Sequence, residues 1–144
     1  MFEITERLQD KGVQLEDIIS AAMALYVPHG MEASKAKEWL MHKVGRSLMD
    51  PNVSSLLLAA ILLEEELYAN RRNSEIADDP VFLLTDEIIG MAIAEYIGGT
   101  CARFEFTRYD HQKPGIIGTL GPFLDDAVSG LIAGCTSRLY SECV

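Results

Sequence analysis

Two runs of small residues constrain this chain more than any other feature. Gly90, Ala94 and Gly98 recur every four positions, and Gly130, Gly134 and Ser137 nearly repeat the interval. On a helix, residues four apart share a face, so each run predicts a stripe almost bare of side chain. Glycine inside a helix costs about 1 kcal/mol relative to alanine, and close approach of two helices is what such stripes permit. Asp86 lies on the stripe of Gly90, and Asp126 on that of Gly130. If the two helices pack by these faces, their acidic first turns come together.

The remaining sequence reads as helices at ordinary spacing. Residues 2–10 form a short opening helix that Gly12 breaks. Leu15, Ile18, Ile19, Ala22 and Tyr26 mark a second helix, closed by Pro28-His29-Gly30. A third is predicted over 33–49, with Trp39, Leu40, Val44 and Leu48 inward. Asp50-Pro51-Asn52 is a break and a good start for the next helix. Residues 53–68 are apolar nearly all round, which predicts a buried central helix. A fifth helix is expected over 85–97 and a last one over 123–140. Residues 100–109 alternate in part (Ala102, Phe104, Phe106), but a lone strand would lack a partner, so helix is preferred there. The expectation is one all-α domain over residues 1–144, a single compact bundle of about six helices with one buried central helix. At 144 residues and 49% apolar, the chain is long enough to bury a core.

The acids carry the chemistry. Asp79, Asp86, Glu87, Asp110, Asp125 and Asp126 lie at or near the ends of apolar segments, with Lys113-Pro114-Gly115 as a turn between them. Each acid taken alone also reads as a helix cap or dipole partner. Several carboxylates brought together raise one another's pKa unless a cation sits among them. A hard ion such as Mg²⁺ suits oxygen ligands plus a substrate phosphate. Lys113 would then offer a point charge to a phosphate oxygen, and Pro114-Gly115 would fix its turn. The set sketches a metal-assisted phosphoryl-transfer site.

Three motifs in order also carry a resemblance. Thr85-Asp86-Glu87-Ile88-Ile89-Gly90, Asp110-His111-Gln112-Lys113-Pro114 and Leu124-Asp125-Asp126-Ala127-Val128-Ser129-Gly130 resemble the signatures of the phosphatidylglycerophosphatase A family. Asp79-Pro80 stands where that family often has an Asp before a turn. The resemblance spans about residues 79 to 138 and implies an all-helical, Mg²⁺-dependent phosphomonoesterase. It implies that Asp79, Asp86, Glu87, Asp125 and Asp126 hold the metal and orient water. Asp110 would position or deprotonate, and Lys113 would stabilise phosphoryl charge. Membrane members of the family act on phosphatidylglycerophosphate, whereas a soluble branch includes α-ribazole-phosphate phosphatase of cobalamin synthesis. Thr107 stands where membrane members often carry arginine, with Arg108 one place later, and long apolar spans are missing. The expectation is therefore an α-ribazole 5′-phosphate phosphatase. The alternatives are the lipid phosphatase and a non-catalytic protein that binds metal or a phosphorylated ligand.

The charge balance disfavours polyanionic partners and would also repel a phosphorylated substrate, which makes a metal or a local basic patch more necessary. A net charge of −10 argues against nucleic acid and anionic membrane surfaces. The longest apolar run, 56–63, is too short to span a bilayer, and no signal sequence is visible. Cys101, Cys135 and Cys143 lack metal-ligand spacing and read as reduced, packed thiols of a cytoplasmic protein. Walker A, Gly-x-Gly-x-x-Gly, His-Glu-x-x-His and Cys-x-x-Cys patterns are absent, which disfavours nucleotide folds and zinc sites. His111 reads as an exposed turn residue, and Arg103 and Arg108 as phosphate clamps or surface ion pairs. Glu64, Glu65 and Glu66 read as a solvated helix edge from which one could face the acids. Small-residue helix faces, where exposed, would admit a homo-oligomer.

Overall fold

The computed structural model describes residues 2–69 and 83–142, and among these it is all helical. The elements are α1 (Ile4–Asp10), α2 (Leu15–Ala24), α3 (Ala33–Met49), α4 (Pro51–Ala69), α5 (Thr85–Gly98), α6 (Ala102–Gln112) and α7 (Pro122–Glu142). A 3-10 turn, Gly115–Thr119, joins α6 to α7. Residues 102–112, where alternation had competed with helix, form α6. Seven helices among the described residues replace the expected six or so.

The expected pairing of small-residue faces is the largest contact in the molecule, between α5 and α7. A Cβ built on Gly90 would lie 2.6 Å from the Asp126 carbonyl oxygen, and one on Gly130 would run into the Gly90 carbonyl. Further along, a Cβ on Gly98 would meet the Gly134 carbonyl at 2.8 Å. Backbone therefore packs on backbone, which only glycine permits.

The central helix is α7, not the expected 53–68 segment. Every residue of α7 from 123 to 137 is buried. On α4, Val53, Leu57, Ala60, Ile61 and Leu67 face inward, but Leu62 and Tyr68 are 48% and 39% exposed. Hydropathy favoured the leucine-rich helix. Interior position goes instead to the helix whose small side chains let α3, α4, α5 and α6 crowd round it.

Polar contacts lock α2 to the helices beside the site. The Tyr109 hydroxyl donates to the Ala22 carbonyl at 2.6 Å, and Arg108 donates to the Leu25 carbonyl at 2.6 Å. Both carbonyls lie at the end of α2, where helical partners run out. Gly115 adopts φ +57, and a Cβ built on it would lie 3.5 Å from the Ala21 Cα.

Candidate active site

Three chain segments deliver the site. Asp86 enters from the first turn of α5 and Asp110 from the last turn of α6. Asp125 and Asp126 enter from the start of α7. Lys113 closes α6 in the left-handed region, at φ 47, its amide bonded to the Tyr109 carbonyl at 2.8 Å. A lysine in that conformation is uncommon. Pro114 stops the helix beyond it.

The geometry joins these groups. Lys113 Nζ lies 2.5 Å from Asp125 Oδ2 and 3.3 Å from Asp110 Oδ1. Asp126 is acted on by the side chains of Asp110, Asp86 and Asp125 around it. Burial, the Asp110 side chain and the Asp125 charge all hold the Asp126 carboxyl above its usual range. Burial also raises Asp125, against the opposing pull of Lys113. The Lys113 ammonium, although partly desolvated, is held charged by Asp125 and Asp110.

Asp86, Asp125 and Asp126 are 4%, 8% and 3% exposed. Among the described residues, Asp86 Oδ1 and Asp125 Oδ1 are buried without a hydrogen-bond partner, as is the Ser129 hydroxyl. Lys113 and Asp110 also line a cleft of about 490 Å³, together with Glu87, Met91, Phe106, Thr107 and His111.

The donor set fits a hard divalent ion. It is all oxygen, and two of its oxygens are buried with no partner among the described residues. It is not prearranged: among the described residues no three acids are already grouped to hold a metal. Lys113, paired with Asp125 and Asp110, carries compensating charge instead.

Asp86, Asp110, Lys113, Asp125 and Asp126 thus come together as expected. Glu87 differs: it is exposed and lines the cleft. Asp79 and Cys143 lie outside the described residues. Arg103 pairs with Glu95, and Arg108 with Glu105 and the Leu25 carbonyl, so structural partners hold both. His111 is exposed on the last turn of α6 and lines the cleft. Of the three glutamates, Glu64 turns inward and is 7% exposed, accepting from the Leu124 amide at 3.1 Å. Ser129 escaped the sequence reading, although it stands four residues after Asp125 on the same face of α7.

Comparison with known proteins gives one consistent answer. The sequence model of the family described as phosphatidylglycerophosphatase A matches residues 26–141. The uncharacterized protein MJ1330 of Methanocaldococcus jannaschii is 46% identical over 126 residues, spanning 85% of this chain and 99% of that protein. The low temperature requirement C protein of Listeria monocytogenes superposes with a TM-score of 0.82 at 24% identity, covering 97% of this chain and 94% of that one. The ypjQ protein of Bacillus subtilis superposes at 0.78 with 25% identity, covering 96% and 91%. Those two share the fold. With three motifs in order, their acids converging on one lysine, and the family model spanning most of its length, this chain belongs to the phosphatidylglycerophosphatase A family.

Proposed function

We propose that this protein is a Mg²⁺-dependent phosphomonoesterase whose substrate is α-ribazole 5′-phosphate. Family membership implies a phosphatase. The metal rests on a single observation: two buried carboxylates, Asp86 and Asp125, each keep an oxygen without a partner among the described residues, and Asp125 pairs with the lysine that lines the cleft.

In this reading Asp86, Asp125 and Asp126 would hold the ion, with Asp79 as a further ligand by its place in the motif. A bound Mg²⁺ supplies a Lewis acid and lowers the pKa of a coordinated water. Lys113, at the cleft, offers its ammonium to the phosphoryl oxygens and leaves Asp110 free to orient water and accept its proton. Glu87 and His111 border the same opening and contact the rest of the substrate.

Two facts favour a small substrate over a lipid. No single helix among the described residues is long and apolar enough to cross a membrane. A net charge of −10 repels an anionic lipid surface. The family's description favours the second reading, phosphatidylglycerophosphate.

Phosphate release decides between them, measured with Mg²⁺ and with EDTA on α-ribazole 5′-phosphate and on short-chain phosphatidylglycerophosphate. Mg²⁺-dependent turnover of the first, abolished in Asp126→Asn, is the expected result. Turnover of the lipid alone moves the assignment to the second reading. Folded protein inert on both overturns the substrate assignment altogether.

A further inference from the structure

The first turn of a helix has amide groups that no helical carbonyl can satisfy. In α7 those groups lie immediately before Asp125 and Asp126. Pro122 has no N–H to satisfy, and Gly121, just ahead of it, has no side chain with which to cap. The Asp125 amide reaches back to the Gly121 carbonyl at 2.9 Å. That leaves the amides of Phe123 and Leu124.

The second is taken by a carboxylate from another helix. Glu64, near the end of α4, accepts from the Leu124 amide at 3.1 Å, and the Phe123 amide acts on the same carboxylate. Gly121 makes room for it: a Cβ there would collide with the Glu64 carboxylate and crowd the Tyr68 hydroxyl. Glu65 pairs with Lys11 at the surface, so of this acidic pair only Glu64 serves α7.

We propose that Glu64 is a positioning residue of the active site, supplying from α4 the N-cap that α7 lacks and so fixing Asp125 and Asp126 against Lys113. Uncapped helix ends fray within their first turn. Asp125 stands on that turn, and its 2.5 Å pair with Lys113 depends on the turn staying closed. The bare Gly90–Gly130 contact supplies few side chains to fix the rotation of α7, whereas a first-turn amide held by a buried carboxylate does. The role rests on the phosphatase reading for its consequence in turnover. The capping geometry itself does not.

The test uses the full chain in three forms, Glu64→Ala, Glu64→Gln and Gly121→Ala, read by amide hydrogen exchange and by phosphate-release kinetics. In Glu64→Ala, exchange at Phe123, Leu124 and Asp125 should quicken about 10-fold or more while amides at Ile93 and Leu131–Cys135 keep their protection. Its kcat should fall about 10-fold or more with KM nearly constant, because small displacements of catalytic groups are felt mainly in the chemical step. Glu64→Gln keeps an accepting oxygen and should restore both readouts to within about 3-fold of wild type. Gly121→Ala, with Glu64 intact, should reproduce the alanine phenotype by displacing the carboxylate.

Unchanged protection at Phe123 and Leu124 in Glu64→Ala overturns the proposal. So does a loss in Glu64→Gln equal to that in Glu64→Ala, or exchange quickened equally throughout the chain. If Glu64→Ala does not fold, the glutamine and Gly121→Ala forms decide on the same criteria. Should wild type prove inert as a phosphatase, exchange alone decides the capping role, and the two failures stay distinct.

Discussion

The N-termini of α4 and α7 solve the same problem in opposite ways. At α4 the cap is local: Asp50 accepts from the Asn52 amide at 2.8 Å and from the Tyr96 hydroxyl at 2.8 Å, in a solvent-accessible place. At α7 the cap comes from 60 residues away and is buried. The local solution needs only the run Asp50-Pro51-Asn52. The remote one ties the start of α7 to α4 and thereby makes the geometry of the acids depend on a distant helix. The difference teaches that an ordinary cap stabilises its own helix, while an imported one can also align what that helix carries.

The largest effect expected from this contrast is on turnover. Lys113→Met removes the cation that holds Asp125 and faces the cleft, and should lower kcat at least about 100-fold. Asp50→Asn, at the other cap, should leave kcat within about 2-fold of wild type. Steady-state phosphate release by the two folded variants measures both. Comparable losses would erase the distinction between the two ends.

Next in size is a stability effect. Gly130→Ala drives a methyl into the Gly90 carbonyl and should cost about 3 kcal/mol, lowering Tm by roughly 10 °C. Gly45→Ala, on α3 close before Asp50, meets nothing within 4 Å and should stabilise by up to about 1 kcal/mol. Calorimetric melting of the two variants checks the signs. A tolerated Gly130→Ala would mean that α5 and α7 are free to separate, and the tight seating of the acids would go with it.

Much of this was legible in the sequence, for definite reasons. The spacing of Gly90, Ala94, Gly98, Gly130 and Gly134 encodes the α5–α7 contact directly, because only bare faces let backbones touch. The convergence of Asp86 and Asp126 follows from that register, and Asp110 with Lys113 from the motif between them. Hydropathy misjudged the central helix, since Ser129, Gly130, Thr136 and Ser137 look polar or neutral yet are buried in α7. Leu62 and Leu63 look like core and are partly exposed. Nothing in the run Glu64-Glu65-Glu66 says which acid turns inward, because the choice is made by Gly121 and the Leu124 amide. Long-range capping leaves no periodic trace.

Smaller still is the loss of the caps themselves. Asp50→Ala should cost about 1 kcal/mol, as exposed caps do. Glu64→Ala should cost about 2 kcal/mol, because it strands the buried Leu124 amide. Urea unfolding at neutral pH measures the pair. Equal losses would mean that water reaches Phe123 and Leu124 as readily as it reaches Asn52.

The smallest effect, and the most diagnostic, is the sign of each cap's pH dependence. Burial raises the Glu64 carboxyl, and the Leu124 and Phe123 amides and the Lys11 charge only partly offset it. A raised folded pKa contributes stability that is fully present below the unfolded value and is lost as pH rises through the folded one. Asp50 goes the other way. Desolvation pushes it up, but bonds from Tyr96 and from the Asn52 and Val53 amides outweigh that and hold it low. Its contribution is present above the unfolded value and lost as pH falls through the folded one. As pH rises above the ordinary glutamate pKa, wild type should therefore lose ground to Glu64→Gln. As pH falls below the ordinary aspartate pKa, it should lose its advantage over Asp50→Asn. Urea midpoints of the three proteins across both ranges give the two slopes. Slopes of the same sign would show that the Glu64 carboxylate is as well solvated as Asp50, and a solvated Glu64 could not hold the first turn of α7 in place.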